Sequence, residues 1–221
     1  MGNYQNDIKA AIFDVDGTLL DSMAVWNDIG ERYLKGLGLK SRPGIKEELQ
    51  SVSLEQGADY LKRNYNLKQT ISEIINAVLK IIEDFYRQEA VLKPGVRETL
   101  EWFRNHGIKM AVATSGNKTL AKAALMRNGV ADYFERIFTC TEIGAGKDEP
   151  KIYLEAAEFL GSTPEKTVVW EDALHAAQTA KSAGFTVLGV YDDSSRENIS
   201  MMRKVCDEYY DRMDFWMTVH K

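Results

Sequence analysis

Asp14 and Asp16 stand one residue apart, directly behind the apolar stretch Ala10-Ala11-Ile12-Phe13 and ahead of Gly17-Thr18. A short buried strand therefore delivers two carboxylates into a glycine turn, and positions i and i+2 of an extended chain point to the same side. Two acids at one strand end repel each other unless a cation or a proton resolves the charge. Three further polar groups also stand behind apolar runs. Thr114-Ser115-Gly116-Asn117 offers hydroxyls and helix-opening N–H groups that suit an anionic oxygen. Lys147 lies in the loop Gly144-Ala145-Gly146-Lys147-Asp148-Glu149-Pro150, and Glu171-Asp172 follows Val168-Val169-Trp170. Magnesium takes few carboxylates, keeps waters and bridges to phosphate oxygens. A phosphate between such an ion, Lys147 and Thr114 would be neutralised from several sides, which is the chemistry of phosphoryl transfer. A calcium loop of the EF-hand type does not fit: Gly17 comes two residues too early and no terminal glutamate closes the loop.

The elements that must carry these residues follow from periodicity. Beyond residue 90, short apolar runs alternate with amphipathic helices. Val96, Leu100 and Phe103 share a helical face; Ile108 to Ala113 reads as a strand, and a helix then runs through Met126. Arg136–Thr139, Thr167–Trp170 and Thr186–Tyr191 read as further strands, separated by helices from about Pro150 to Leu160 and from Ala173 to Ala183. Continuous apolar strands alternating with helices predict an α/β fold, a Rossmann-like parallel sheet with helices on both faces. All four polar motifs then fall at the carboxyl ends of strands, where open α/β sheets place their ligands. Residues 22 to about 91 contain no convincing strand. Met23, Trp26, Ile29, Tyr33 and Leu37 keep helical spacing, as do Ile71, Ile74, Ile75, Val78, Ile82 and Phe85. The expected division is a core of residues 1–20 and 92–221 and an inserted all-helical cap of residues 21–91. Its two crossings, near Leu20-Asp21 and Val91-Leu92-Lys93-Pro94, suit a hinged lid, a rigidly packed helical subdomain being the alternative.

Composition narrows the partners. The 221 residues carry a net charge of −5, so no global electrostatic attraction to nucleic acid or to an anionic membrane is expected. No apolar stretch is long enough to span a bilayer, and the N-terminus lacks a secretory hydrophobic region. Met1-Gly2 does not make a myristoylation signal, because position 6 is Asn6. Cys140 and Cys206 fit no CxxC spacing and are expected as free thiols in a reducing cytoplasm. The size of the cap suits a small phosphorylated metabolite, and a monomer is the default expectation.

The run from Asp14 through Ser22, the return to the core at Lys93-Pro94-Gly95-Val96, Thr114, Lys147 and the Glu171-Asp172 pair together resemble the haloacid dehalogenase superfamily. The likeness is to its aspartate-nucleophile phosphatases with a helical cap after the first strand. It implies that Asp14 attacks phosphorus and that Asp16 protonates the leaving alcohol, then activates water. It further implies magnesium held by the Asp14 carboxylate, the Asp16 backbone carbonyl and Asp172, with Glu171 in an outer arrangement. Thr114 and the Ser115 amide would hold the phosphoryl group, Lys147 would offset charge, and Thr18 would shape the turn. Asp16 sets this chain apart from the dehalogenases, which resemble the fold but lack the second aspartate and need no magnesium.

Other readings of the same residues stand beside these. Asp14 and Asp16 could form a structural acidic turn, Asp172 could cap the following helix, and Thr114 could be a cap or turn residue. Lys147 departs from the family pattern, being followed by Asp148 where proline is usual, and Lys118 and Lys151 are nearby competitors. Trp170, despite its place beside the motif, and Tyr209, Tyr210, Phe215 and Trp216 read as core and terminal packing. The pattern is also similar to β-phosphoglucomutase around Ser51-Val52-Ser53, but Leu54 stands where that enzyme has arginine and Trp26 where it has histidine. Both departures favour hydrolysis over isomerisation and an apolar lid surface, with Lys46, Lys62 and Arg63 as cations within reach. An idle regulator that binds a phosphorylated metabolite is the remaining alternative, disfavoured by intact Asp14, Asp16 and Asp172.

Overall fold

A computed structural model describes residues 8–49 and 52–219; Met1, Gly2, Asn6 and Ser51 lie outside them. The chain divides into two compact units, Met1–Asp21 with Val91–Lys221, and Ser22–Ala90.

The first unit begins with β1 (Ala10–Phe13) and β2 (Leu20–Asp21). The second holds α1 (Met23–Gly36), α2 (Ile45–Leu49), α3 (Leu54–Asn64) and α4 (Ile71–Gln88). Ser53 with Gln56 and Thr70 with Glu73 form capping boxes that start α3 and α4. Apolar side chains at helical spacing close this unit's own core, among them Val25, Leu34, Ala58, Leu61, Ile74, Val78 and Ile82.

The chain returns to the first unit through β3 (Val91–Leu92), α5 (Val96–Asn105), β4 (Lys109–Thr114), α6 (Lys118–Arg127), β5 (Arg136–Thr139) and α7 (Cys140–Ile143). It ends with α8 (Lys151–Phe159), β6 (Thr167–Glu171), α9 (Leu174–Ser182), β7 (Thr186–Val190), α10 (Ile199–Val205), β8 (Glu208–Tyr210) and α11 (Phe215–Val219). Six strands form one parallel sheet in the order β5-β4-β1-β6-β7-β8. Both faces are covered, which alternate residues along the strands make explicit. Ile12, Ala111, Ala113, Val169 and Val187 join Ile152, Ala156, Ala177 and Ala180 of α8 and α9. Phe13 turns the other way, to ring contacts with Phe103 of α5 at 5.8 Å and Trp170 at 6.3 Å, and Trp216 of α11 stacks on Phe103 at 5.0 Å.

Trp170 is core, as expected: it is wholly buried, because β6 is an interior strand covered on both faces. Three features depart from expectation. Of the terminal aromatics, Trp216 is core but Phe215 is exposed. The two crossings are not open linkers: Leu20 and Asp21 pair antiparallel with Leu92 and Val91, and the Lys93 N–H donates to the Leu19 carbonyl at 3.0 Å. The sixth strand, β8, was also absent from the periodicity.

Candidate active site

The connection order places β1 between β4 and β6, so chain crossings leave it in both directions and a crevice opens at the strands' carboxyl ends. Asp14 follows β1, with its N–H donating to the Trp170 carbonyl at 3.1 Å. Glu171 is the last residue of β6, and Asp172 comes next. Carboxylate oxygens of Asp14, Glu171 and Asp172 lie within 4.8 Å of one another, and all three residues are buried. Lys147, only 6% exposed, donates to both Asp14 Oδ1 and Glu171 Oε1. Its competitors are occupied elsewhere: Lys118 pairs with Glu142 and Lys151 donates to the Ile143 carbonyl at 3.0 Å.

Asp172 does not cap α9, whose N-cap is Ala173 without a side-chain bond. It is instead held in place. Thr18 Oγ1 donates to Oδ1 at 3.0 Å and Ser195 Oγ to Oδ2 at 3.4 Å. Gly17, at φ +89°, is the turn that lets the chain pass, since a methyl group there would overlap the Asp172 carboxylate. Asp16 stands outside the three-carboxylate cluster, near Thr114. A Cβ built on Gly116 would lie 3.0 Å from Asp16 Oδ2 and 3.2 Å from Thr114 Oγ1, so the missing side chain keeps a gap between them. Thr114 is the last residue of β4, buried, and its Oγ1 accepts from the Gly116 N–H at 2.9 Å. The turn role is therefore real, and it leaves the hydroxyl proton to donate. Ser115 is exposed, its Oγ 3.5 Å from Cys140 Sγ.

The electrostatics of the cluster are those of an acid-rich pocket. Burial pushes the Glu171 carboxyl up to about 7 against the pull of Lys147, with the Asp14 charge adding to the rise. Burial, then Asp14 and Glu171, also hold the Asp172 carboxyl well above the usual carboxylate range, while the Thr18 hydrogen bond opposes them. For Lys147, burial works against the charge, but Asp14 and Glu171 outweigh it and hold the ammonium above the ordinary lysine value. Tyr153, which the sequence reading missed, donates to Glu171 Oε1 at 2.8 Å. Burial and the Glu171 charge raise its phenol, so it remains a neutral donor.

A divalent cation fits this donor set. Three carboxylates face one ammonium, the ligands are hard oxygens, and buried Glu171 Oε2 has no partner among the described residues. Asp14, Asp172 and Glu171 are the side chains that could hold it.

A model of the haloacid dehalogenase-like hydrolases matches residues 8–184. The chain belongs to that family. Among its relatives is the phosphorylated carbohydrates phosphatase of Thermotoga maritima, 30% identical over 80% of this chain and 82% of that one. Another is the glyceraldehyde 3-phosphate phosphatase of Methanopyrus kandleri, 31% identical over 86% of this chain and 89% of its own. A solved Thermotoga maritima structure, whose β-phosphoglucomutase name is itself provisional, superposes with a TM-score of 0.83 at 26% identity, over 96% of this chain and 98% of the other. This haloacid dehalogenase-like hydrolase is thus an enzyme of the capped, phosphatase-like branch, with the Rossmann-like core and helical insertion of its relatives. No helix among the described residues is long and apolar enough to cross a membrane.

Inside the helical unit, Trp26 and Leu54 are both partly exposed and line a cavity of about 200 Å³ with Ile29, Leu49, Leu61 and Val78. The cations considered there have partners nearby: Lys46 on Asp28, Lys62 on the Leu67 and Gln69 carbonyls, Arg63 on Asp59.

Proposed function

We propose that the chain is a magnesium-dependent phosphatase of small phosphomonoesters, sugar phosphates or metabolites of that size, working through an aspartyl-phosphate on Asp14. The observation that carries the proposal is the buried meeting of Asp14 with Lys147, Glu171 and Asp172, next to Asp16 and Thr114. Asp14 would attack phosphorus, forming the acyl-phosphate bond as the P–O bond to the alcohol breaks. Asp16 would give its proton to the leaving oxygen, then take one from the water that cleaves the intermediate. Lys147 restrains the Asp14 carboxylate and balances charge as the phosphoryl group arrives. Thr114 Oγ1 and the Ser115 amide would donate to phosphoryl oxygens. Asp14, the Asp16 backbone carbonyl and Asp172 would hold the magnesium, with Glu171 beside them. A bound ion there supplies charge neutralisation for the phosphoryl oxygens. The inserted helical unit, Ser22–Ala90, would act as the cap and read the leaving alcohol. The names of the relatives support phosphorylated sugars as the class.

Turnover of p-nitrophenyl phosphate tests the reading. Activity should require magnesium and fall by about six orders of magnitude in Asp14→Asn, the scale of loss when a nucleophile is removed. Activity indifferent to both would overturn it. A mutase reading is favoured by the mutase names among the relatives and structural neighbours. It predicts conversion of a sugar 1-phosphate to the 6-phosphate faster than release of inorganic phosphate.

A further inference from the structure

Lys93 belongs to the return into the core, and no step above uses it. Its backbone N–H donates to the Leu19 carbonyl beside the β2–β3 ribbon. Its side chain turns into the fold, where Nζ donates to the Tyr191 carbonyl at 2.6 Å and to Asp192 Oδ2 at 2.6 Å. The pair is buried, with the two side chains only 11% and 6% exposed. Asp192 then organises the loop that follows β7. Its Oδ1 accepts from the Ser194 N–H at 3.0 Å and from Ser194 Oγ at 2.6 Å, and its carbonyl accepts from the Ser195 N–H at 3.1 Å. Ser195, so fixed, is the residue whose hydroxyl reaches Asp172 Oδ2.

From this continuous chain of contacts we infer that Lys93 and Asp192 are positioning residues for Asp172, acting through Ser195 to set the carboxylate for a divalent cation. The inference rests on the metal reading above. A buried ion pair of this kind is expensive to keep unless it fixes a conformation, and one partner cannot be removed without releasing the other. Here the conformation fixed is a loop with one hydroxyl aimed at the acidic cluster. Thr18 holds the opposite oxygen of the same carboxylate from the β1 turn. Asp172 is thereby clamped from two separate segments, and only one clamp depends on Lys93.

The sign of the effect separates positioning from simple electrostatics. Lys93 is a positive charge on the loop beside an acidic site, so its loss alone should tighten cation binding. Positioning predicts the reverse. The full-length protein is titrated with Mn²⁺, and free ion is followed by electron paramagnetic resonance, with folding checked by circular dichroism. Ser195→Ala should weaken Mn²⁺ about 3- to 10-fold, as expected for one hydrogen bond to a charged group at long range. Lys93→Met should weaken it about 10-fold, and adding Ser195→Ala to Lys93→Met should cost nothing more, because both act on one contact. Wild-type affinity in a folded Ser195→Ala protein, tighter binding in Lys93→Met, or additive losses in the double variant would each overturn the inference. Ser195→Ala decides the question even if Lys93→Met fails to fold. A wild-type protein that binds no Mn²⁺ would instead bring down the metal reading itself.

Discussion

Glu171 is fully enclosed, yet among the described residues only one of its oxygens is served: Oε1 accepts from Lys147 and Tyr153, while Oε2 has no partner there. An unmet buried acceptor costs about 1–3 kcal/mol, and a cation in the cluster would remove that cost. Tyr153 and Lys147 together fix Oε1, which leaves Oε2 as the oxygen open to an ion or its water. Gly17 is the residue on which the geometry is least forgiving. A side chain there meets both the left-handed backbone and the Asp172 carboxylate. Gly17→Ala should weaken Mg²⁺ binding at least tenfold and lower stability by about 1–3 kcal/mol. Isothermal titration and thermal melting read the two effects separately. An unchanged cation affinity would mean that Asp172 does not need its present position.

At the scale of elements, α11 reaches back to the sheet through Trp216. Trp216 is wholly buried, 4.7 Å from Trp102 and 5.0 Å from Phe103 between ring centroids, on the face opposite α8 and α9. Trp216→Ala should cost about 3–5 kcal/mol, seen as a lowered Tm with the catalytic residues untouched. Elements and motifs differed in how plainly the sequence announced them. Strands β1, β4, β6 and β7 are short apolar runs, so a two-sided buried sheet follows from them directly, and the polar residues just behind each run mark its working end. β8 is the three-residue edge strand Glu208–Tyr210, half-buried and without alternation, so nothing in its pattern distinguishes it from a loop. The β2–β3 ribbon has two residues on each side and exists through its pairing. Asp14, Thr114, Lys147 and Asp172 are legible because each sits beside a local signal. Tyr153, Ser195 and the Lys93–Asp192 pair are not, since their meaning lies in partners 18 to 99 residues away.

The molecule as a whole carries a net charge of −5, and its crevice likewise holds more negative than positive charge. An anionic substrate can enter such a site only if cations are supplied locally, by Lys147 and by a bound metal. A ligand that binds only the folded state stabilises it by about 2.7 kcal/mol at a concentration of 100 times its Kd. Saturating Mg²⁺ should therefore raise Tm by several degrees, chelation should reverse the rise, and Asp172→Asn should remove most of it. The covalent step carries the central claim, and it can be seen directly. Enzyme quenched with acid during turnover and reduced with borohydride should yield a peptide in which Asp14 has become homoserine, because only an acyl-phosphate is reduced under those conditions. Substrate-dependent reduction at Asp14 is the predicted result. Rapid phosphate release with Asp14 unmodified, or with another residue reduced in its place, would contradict the account.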